Sequence, residues 1–134
     1  MRVTITKMIF VAHKRADITE DEFITYWQQI HAPLAAAIPG IRQYVIYPVL
    51  WSSSVVPVCD GLSEMWFDSR ARLQEGLSSS EGRRMFADLT HFCSRDSGAV
   101  VVDEIDVVRA AAAVDSDRRA NNIDRWDGEG GRAV

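Results

Sequence analysis

The stretch TEDEFITYWQQIHAPLAAAIPG, residues 19–40, decides the fold. Thr19 followed three residues later by Glu22 has capping-box spacing. The threonine oxygen takes one free amide of a helix start, and the glutamate reaches back to another. Phe23, Trp27, Ile30 and Leu34 then recur at steps of four, three and four, which makes one apolar stripe. Pro39-Gly40 ends the helix. Two residues inside it do not belong to a helix built only for burial. At about 100° per residue, His31 falls on the shoulder of the stripe, beside the buried face. Pro33 lacks the amide that would bond the Gln29 carbonyl and crowds that turn, so the helix is loosened where the histidine sits.

The segments around this helix read as strands. RVTITKMIFVA (2–12) is rich in Val, Ile and Thr, with apolar residues at both parities. IRQYVIYPVLW (41–51) follows the Pro-Gly stop, and its Pro48, which cannot donate to a ladder, marks an edge strand or a bulge. After the loop 52–57, DGLSEMWFD (60–68) is a third strand. Residues 69–93 are helical but divided by Gly76 and the serines at 78–80, with Met85, Leu89 and Phe92 as the stripe of the second piece. GAVVVDEIDVVRA (98–110) is a fourth strand.

The order β-α-β-β-α-β is that of an α+β, ferredoxin-like domain with both helices on one face of an antiparallel sheet. The other face is uncovered, yet the strands carry apolar residues on both sides: Ile5 and Ile9 against Met8 and Phe10, Tyr44 and Ile46 against Val45 and Tyr47. A wet face of that kind exceeds the few hundred Å2 that a monomer tolerates. The sequence therefore implies a homodimer joined through the sheet faces. Residues 1–110 form the domain. Residues 111–134, charged and ending in a Gly-rich run, read as a disordered tail or as an arm on the partner subunit.

The 134 residues suit one domain. A net charge of −4, with arginines only in pairs, lacks the basic field that nucleic acid requires. No run approaches a membrane span, and the interrupted apolar N-terminus is no signal peptide. Cys59 and Cys93 form no CxxC, which fits reduced thiols in a cytoplasmic protein. His13, His31 and His91 show no metal-ligand spacing, and no phosphate loop or nicotinamide fingerprint occurs. Expected metals and cofactors are therefore none. Glu64, placed mid-strand, reads as a paired structural carboxylate facing the partner subunit, with a catalytic role as the alternative. Alternation puts it on the face opposite Met65 and Phe67.

The segments TEDEFITYWQQIHAPLAAAIPGIRQYVIY, DGLSEMWFDS and SSEGRRMFADLTHF resemble the EthD family of dimeric α+β barrel proteins over about residues 2–110. The resemblance implies a cofactor-free fold with His31 directed into a pocket between helices and sheet. It also implies a strand tyrosine, Tyr44, that holds or protonates a substrate oxygen. Relatives include muconolactone isomerases and polyketide-tailoring enzymes. One departure is informative: the isomerases carry a cysteine where this chain has Met65, and a thioether is neither acid nor nucleophile. The expected pocket wall is Trp27, Tyr47, Met65, Phe67 and Phe86. The expected activity is cofactor-independent proton transfer on a small aromatic or polyketide-like molecule: cyclisation, dehydration, decarboxylation or isomerisation. The alternatives are a cofactor-free or haem-dependent oxygenase and a non-catalytic small-molecule-binding protein.

Overall fold

The structure, a computed structural model, describes residues 5–108 and 110. The expected tail 111–134, and Val3 at the head of the first strand, lie outside the described residues. The chain divides into two compact units. One is Met1–Val49 with Cys59–Glu104, the other Leu50–Val58 with Ile105–Val134. Every helix and strand below belongs to the first. The described side chains of the second include exposed Leu50, Val55, Val56 and Val58, and Ile105, Val107 and Val108.

Strand β1 (Thr6–Ala12) leads through Thr19 into helix α1 (Glu20–Tyr26), a π-helical turn (Trp27–His31) and helix α2 (Ala32–Ala36). Strands β2 (Gln43–Pro48) and β3 (Gly61–Phe67) follow, then α3 (Arg70–Ser78), α4 (Ser80–Asp88), a 3-10 turn (Leu89–His91) and β4 (Gly98–Asp103). The sheet order is β2-β3-β1-β4, with every pairing antiparallel. This is the expected ferredoxin-like α+β fold, and β2 with its Pro48 is an edge strand. The last strand is shorter than the 98–110 read from composition, ending at Asp103.

The capping box forms as the spacing requires. Glu22 N–H donates to Thr19 Oγ1 at 3.1 Å, and Thr19 N–H to Glu22 Oε1 at 2.9 Å. Such a cap contributes about 1 kcal/mol. Gly40 turns the chain out of the first helix with φ of 81°, a left-handed value that disfavours any side chain. Ser79 divides α3 from α4 by serving both: its hydroxyl donates to the Gly76 carbonyl and accepts from Gly82 N–H at 3.0 Å.

Cross-strand register sorts the side chains into two faces. Met8, Met65 and Tyr44 lie opposite one another across three strands, as do Phe10, Ser63 and Ile46. This face receives the helices. Met8, Ala35, Ile38, Met65, Phe67, Leu73 and Met85 form one core cluster, and Phe10, Ala12, Phe23, Trp27, Phe92 and Cys93 the other. Gly61 sits where a side chain would strike the Trp27 ring, so the indole lies directly on the β3 backbone. The opposite face carries Lys7, Ile9, Glu64, Trp66, Val45 and Tyr47. Glu64 is paired there: Lys7 Nζ lies 3.9 Å from its Oε2, which also accepts from Trp66 Nε1 at 3.2 Å and Tyr47 O–H at 3.3 Å.

Two readings of the helices are corrected. Ile30, placed on the buried stripe by the regular period, is 52% exposed, while His31, placed on its shoulder, is 2% exposed. The cause is the π turn. Ala32 N–H bonds the Trp27 carbonyl, five residues back, so the turn holds one extra residue and the inward face passes from 30 to 31. Pro33, with no N–H to give, follows at once.

Candidate functional site

The wide turn delivers the His31 imidazole into the interior, where it packs on Phe92 with ring centroids 4.8 Å apart. Its Nδ1 meets Asp88 Oδ2 at 2.9 Å. Asp88 ends α4, where the negative end of the helix dipole disfavours a carboxylate. Three donors compensate. His31 holds Oδ2, while Oδ1 accepts from the Tyr26 hydroxyl at 2.7 Å and from His91 Nδ1 at 3.0 Å. The 3-10 turn after α4 nearly eclipses residues three apart, which sets His91 beside Asp88.

The charge states follow from these contacts. Burial alone would raise the Asp88 pKa, but the hydrogen bonds from Tyr26, His91 and His31 bring it below its ordinary value. Asp88 is therefore ionised at neutral pH and can only accept. Burial pushes the His31 pKa down, and Asp88 offsets part of that. His31 is thus neutral with its proton on Nδ1, and Nε2 carries the lone pair. Every buried side-chain nitrogen and oxygen among the described residues has a partner. The described residues give Nε2 no hydrogen bond. The Tyr26 phenol is raised to about 12 by burial and by Asp88, so it stays a donor.

Tyr44 lies on the helix-covered face of β2. Its hydroxyl accepts from Trp27 Nε1 at 2.9 Å. Burial pushes its pKa up to about 12 against the hydrogen bonds from Trp27 and Ser63. With its oxygen accepting from Trp27, the phenol keeps its own proton to donate. A shallow groove of about 410 Å3 between the first helix and β2 is lined by Gln28, Ala32, Pro33, Arg42, Gln43 and Tyr44, among others.

The structure brings His31, Trp27, Tyr44 and Met65 to one face of the sheet but does not assemble the expected five-residue wall. Tyr47 is corrected: three positions from Tyr44, it points to the opposite face and bonds Glu64. Phe86 is 38% exposed, because its neighbour Met85 takes the inward position on α4. Met65 and Phe67 are packed in the core around Leu73 and Met85, away from the Phe92 cluster that holds His31.

Sequence reasoning missed Asp88, the organising group, and with it Tyr26 and His91. A signal existed. Asp88 lies three residues after Met85 and four before Phe92, so it falls on a buried stripe, where a charge needs partners. Among the described residues, no three His, Cys, Asp or Glu side chains are grouped to hold a metal ion. Both cysteines are free and buried. No helix among the described residues is long and apolar enough to cross a membrane.

Comparison with known proteins follows the same outline. An uncharacterized 11.0 kDa protein from the thcB-thcC intergenic region of Rhodococcus erythropolis is 24% identical over 82 residues, covering 61% of this chain and 80% of that one. An ethyl tert-butyl ether D (EthD) family protein from Bacillus halodurans superposes with a TM-score of 0.68 at 23% identity. It covers 75% of this chain and 99% of its own. A dimeric ferredoxin-like protein of unknown function from Thermobifida fusca gives 0.58 at 18% identity, covering 78% and 94%. A hydroxynitrile lyase from Passiflora edulis gives 0.66 at 11% identity, covering 81% and all of that chain. At these identities the structures share the fold. The EthD domain itself matches residues 15–96, from the end of β1 through the His31–Asp88 pair, and the chain belongs to the EthD family.

Proposed function

We propose that this protein is a cofactor-independent enzyme in which His31, held by Asp88, is the general base. The observation that carries the reading is a buried imidazole whose Nδ1 lies 2.9 Å from the Asp88 carboxylate, an arrangement that leaves Nε2 as the ring atom free to take a proton. In the reaction, Nε2 takes a proton from a carbon beside a carbonyl. Asp88 stabilises the imidazolium that forms, and Tyr44 donates to the oxygen on which charge develops. An enol or enolate step of this kind serves cyclisation, dehydration, decarboxylation and isomerisation. The substrate is a small aromatic or polyketide-like molecule, which suits the groove at Tyr44 and the aromatic ring cluster around His31. That the fold also belongs to a hydroxynitrile lyase supports a catalytic use of the scaffold.

The test uses benzoylacetone as a probe, following exchange of its acidic C–H for deuterium by NMR. The wild-type protein accelerates exchange, and His31→Ala loses about 100- to 10,000-fold of it, the ordinary contribution of a positioned base. Exchange that survives intact in His31→Ala refutes the assignment.

The working unit is a homodimer joined through the sheet face opposite the helices. Val45, Ile9 and Leu62 share that face with exposed Tyr47 and Val100, and a ferredoxin-like relative is dimeric. A stable monomer at micromolar concentration by sedimentation would contradict this. With both thiols free, the cytoplasm is the compartment that fits.

A further inference from the structure

We propose that Tyr26 and His91 are positioning residues that orient the Asp88 side chain, occupying Oδ1 and presenting Oδ2 to the imidazole of His31. The inference rests on the general-base reading of His31 and adds two residues to it, neither of which is placed against substrate.

The geometry is asymmetric in a useful way. Two donors converge on Oδ1, at 2.7 and 3.0 Å, and one on Oδ2, at 2.9 Å. They come from different elements: Tyr26 ends α1, His91 ends the 3-10 turn, and His31 ends the π turn. The carboxylate is therefore fixed about its side-chain axis by groups the imidazole does not control. Exposure rises in steps, from 2% for the His31 side chain to 10% for Asp88 and 63% for His91. His91 stands between the carboxylate and water and fills an acceptor site that solvent would otherwise claim. With Oδ1 held by two donors, Oδ2 is the oxygen that faces His31, and because a carboxylate oxygen only accepts, the imidazole presents Nδ1–H and keeps Nε2 bare. Were the tautomer inverted, two lone pairs would face each other at 2.9 Å and Nε2 would carry a hydrogen, useless to a base.

The arrangement makes an unusual prediction for Asp88→Asn. Its side chain has one acceptor oxygen and one NH2. Tyr26 and His91 claim the oxygen, so the NH2 turns to His31, which must then offer a lone pair at Nδ1. The expected result, read by long-range 1H–15N correlation on 15N-labelled protein at neutral pH, is a switch of the His31 proton from Nδ1 to Nε2. The probe exchange assay falls at the same time by about 10,000-fold, as when a wrong tautomer is imposed on a catalytic histidine. Adding Tyr26→Phe and His91→Leu to Asp88→Asn frees the amide to turn over, and the Nδ1–H form returns. Replacing His91 by Asn, which keeps a donor, leaves the inverted state in place.

Asp88→Asn that retains Nδ1–H overturns the proposal, as does inversion that persists after both donors are removed. Should Asp88→Asn fail to fold, Tyr26→Phe in the otherwise native protein gives a second reading. Loss of one Oδ1 donor leaves more carboxylate charge for His31, so the His31 protonation constant rises several-fold. An unchanged or lowered constant overturns the proposal. None of these spectra needs a substrate, so they fail or succeed independently of whether His31 is the base.

Discussion

Replacing Phe92 by Ala tests whether the ring packing, rather than the carboxylate alone, sets the state of His31. Phe92 is fully buried and touches four rings: Phe23 at 5.7 Å, Tyr26 at 5.2 Å, Trp27 at 5.8 Å and His31 at 4.8 Å between centroids. Losing a buried phenylalanine costs about 3–5 kcal/mol, the transfer of the ring plus the void it leaves. The upper half of that range is expected here, because the surrounding aromatics are rigid and close poorly over a void. Phe92→Leu, which keeps most of the volume, costs about 1.5 kcal/mol or less. The two substitutions should also act on His31 in proportion. Burial is the main cause of its lowered pKa, so a wetter site brings the titration back toward the ordinary histidine value. Urea unfolding followed by circular dichroism gives the stability, and an NMR pH titration gives the imidazole. A normal stability loss in Phe92→Ala with His31 titrating as in the wild type would refute the reasoning, since desolvation would then have another source.

Two further outcomes follow from the same structure. Because the folded state holds His31 below its ordinary pKa, the unfolded chain protonates first as the pH falls. Stability is therefore full above about pH 6.5, the ordinary histidine value, and declines below it until the folded imidazole also protonates. His31→Gln should flatten that part of a urea-midpoint profile. Gly61→Ala drives a methyl group into the Trp27 ring and costs about 1–3 kcal/mol, measured by thermal unfolding, with a matching change in tryptophan fluorescence as the indole lifts from β3.

The architecture was legible because its signals are local. Thr19 and Glu22, the Pro39-Gly40 stop, the break at Ser79 and the edge Pro48 each act through their own backbone, and each does what the sequence implies. His31 was within reach as a polar residue on the shoulder of an apolar stripe, whereas Tyr44 was marked only by the resemblance to the EthD family. What the sequence concealed depends on contacts between distant segments. Asp88 looks like an ordinary helix-terminal acid until Tyr26 and His31, 62 and 57 positions away, are seen to bond it. The exchange of Ile30 for His31 hangs on one five-residue turn, which a regular 3.6-residue period cannot anticipate. Tyr47 has the opposite strand parity to Tyr44, and Phe86 is one helical position, about 100°, from the inward Met85.

The extra residue in that turn ties heredity to chemistry. Beyond it, Ala35 and Ile38 continue the inward line that His31 begins, and both lie in the core beside Met65 and Phe67. Loss of one codon between Trp27 and His31 would remove that extra residue and let a regular helical turn form, with all three still on the inward side. The wide turn can therefore be gained or lost by a single codon while the helix beyond it keeps its packing, so the histidine's depth is open to adjustment apart from the core.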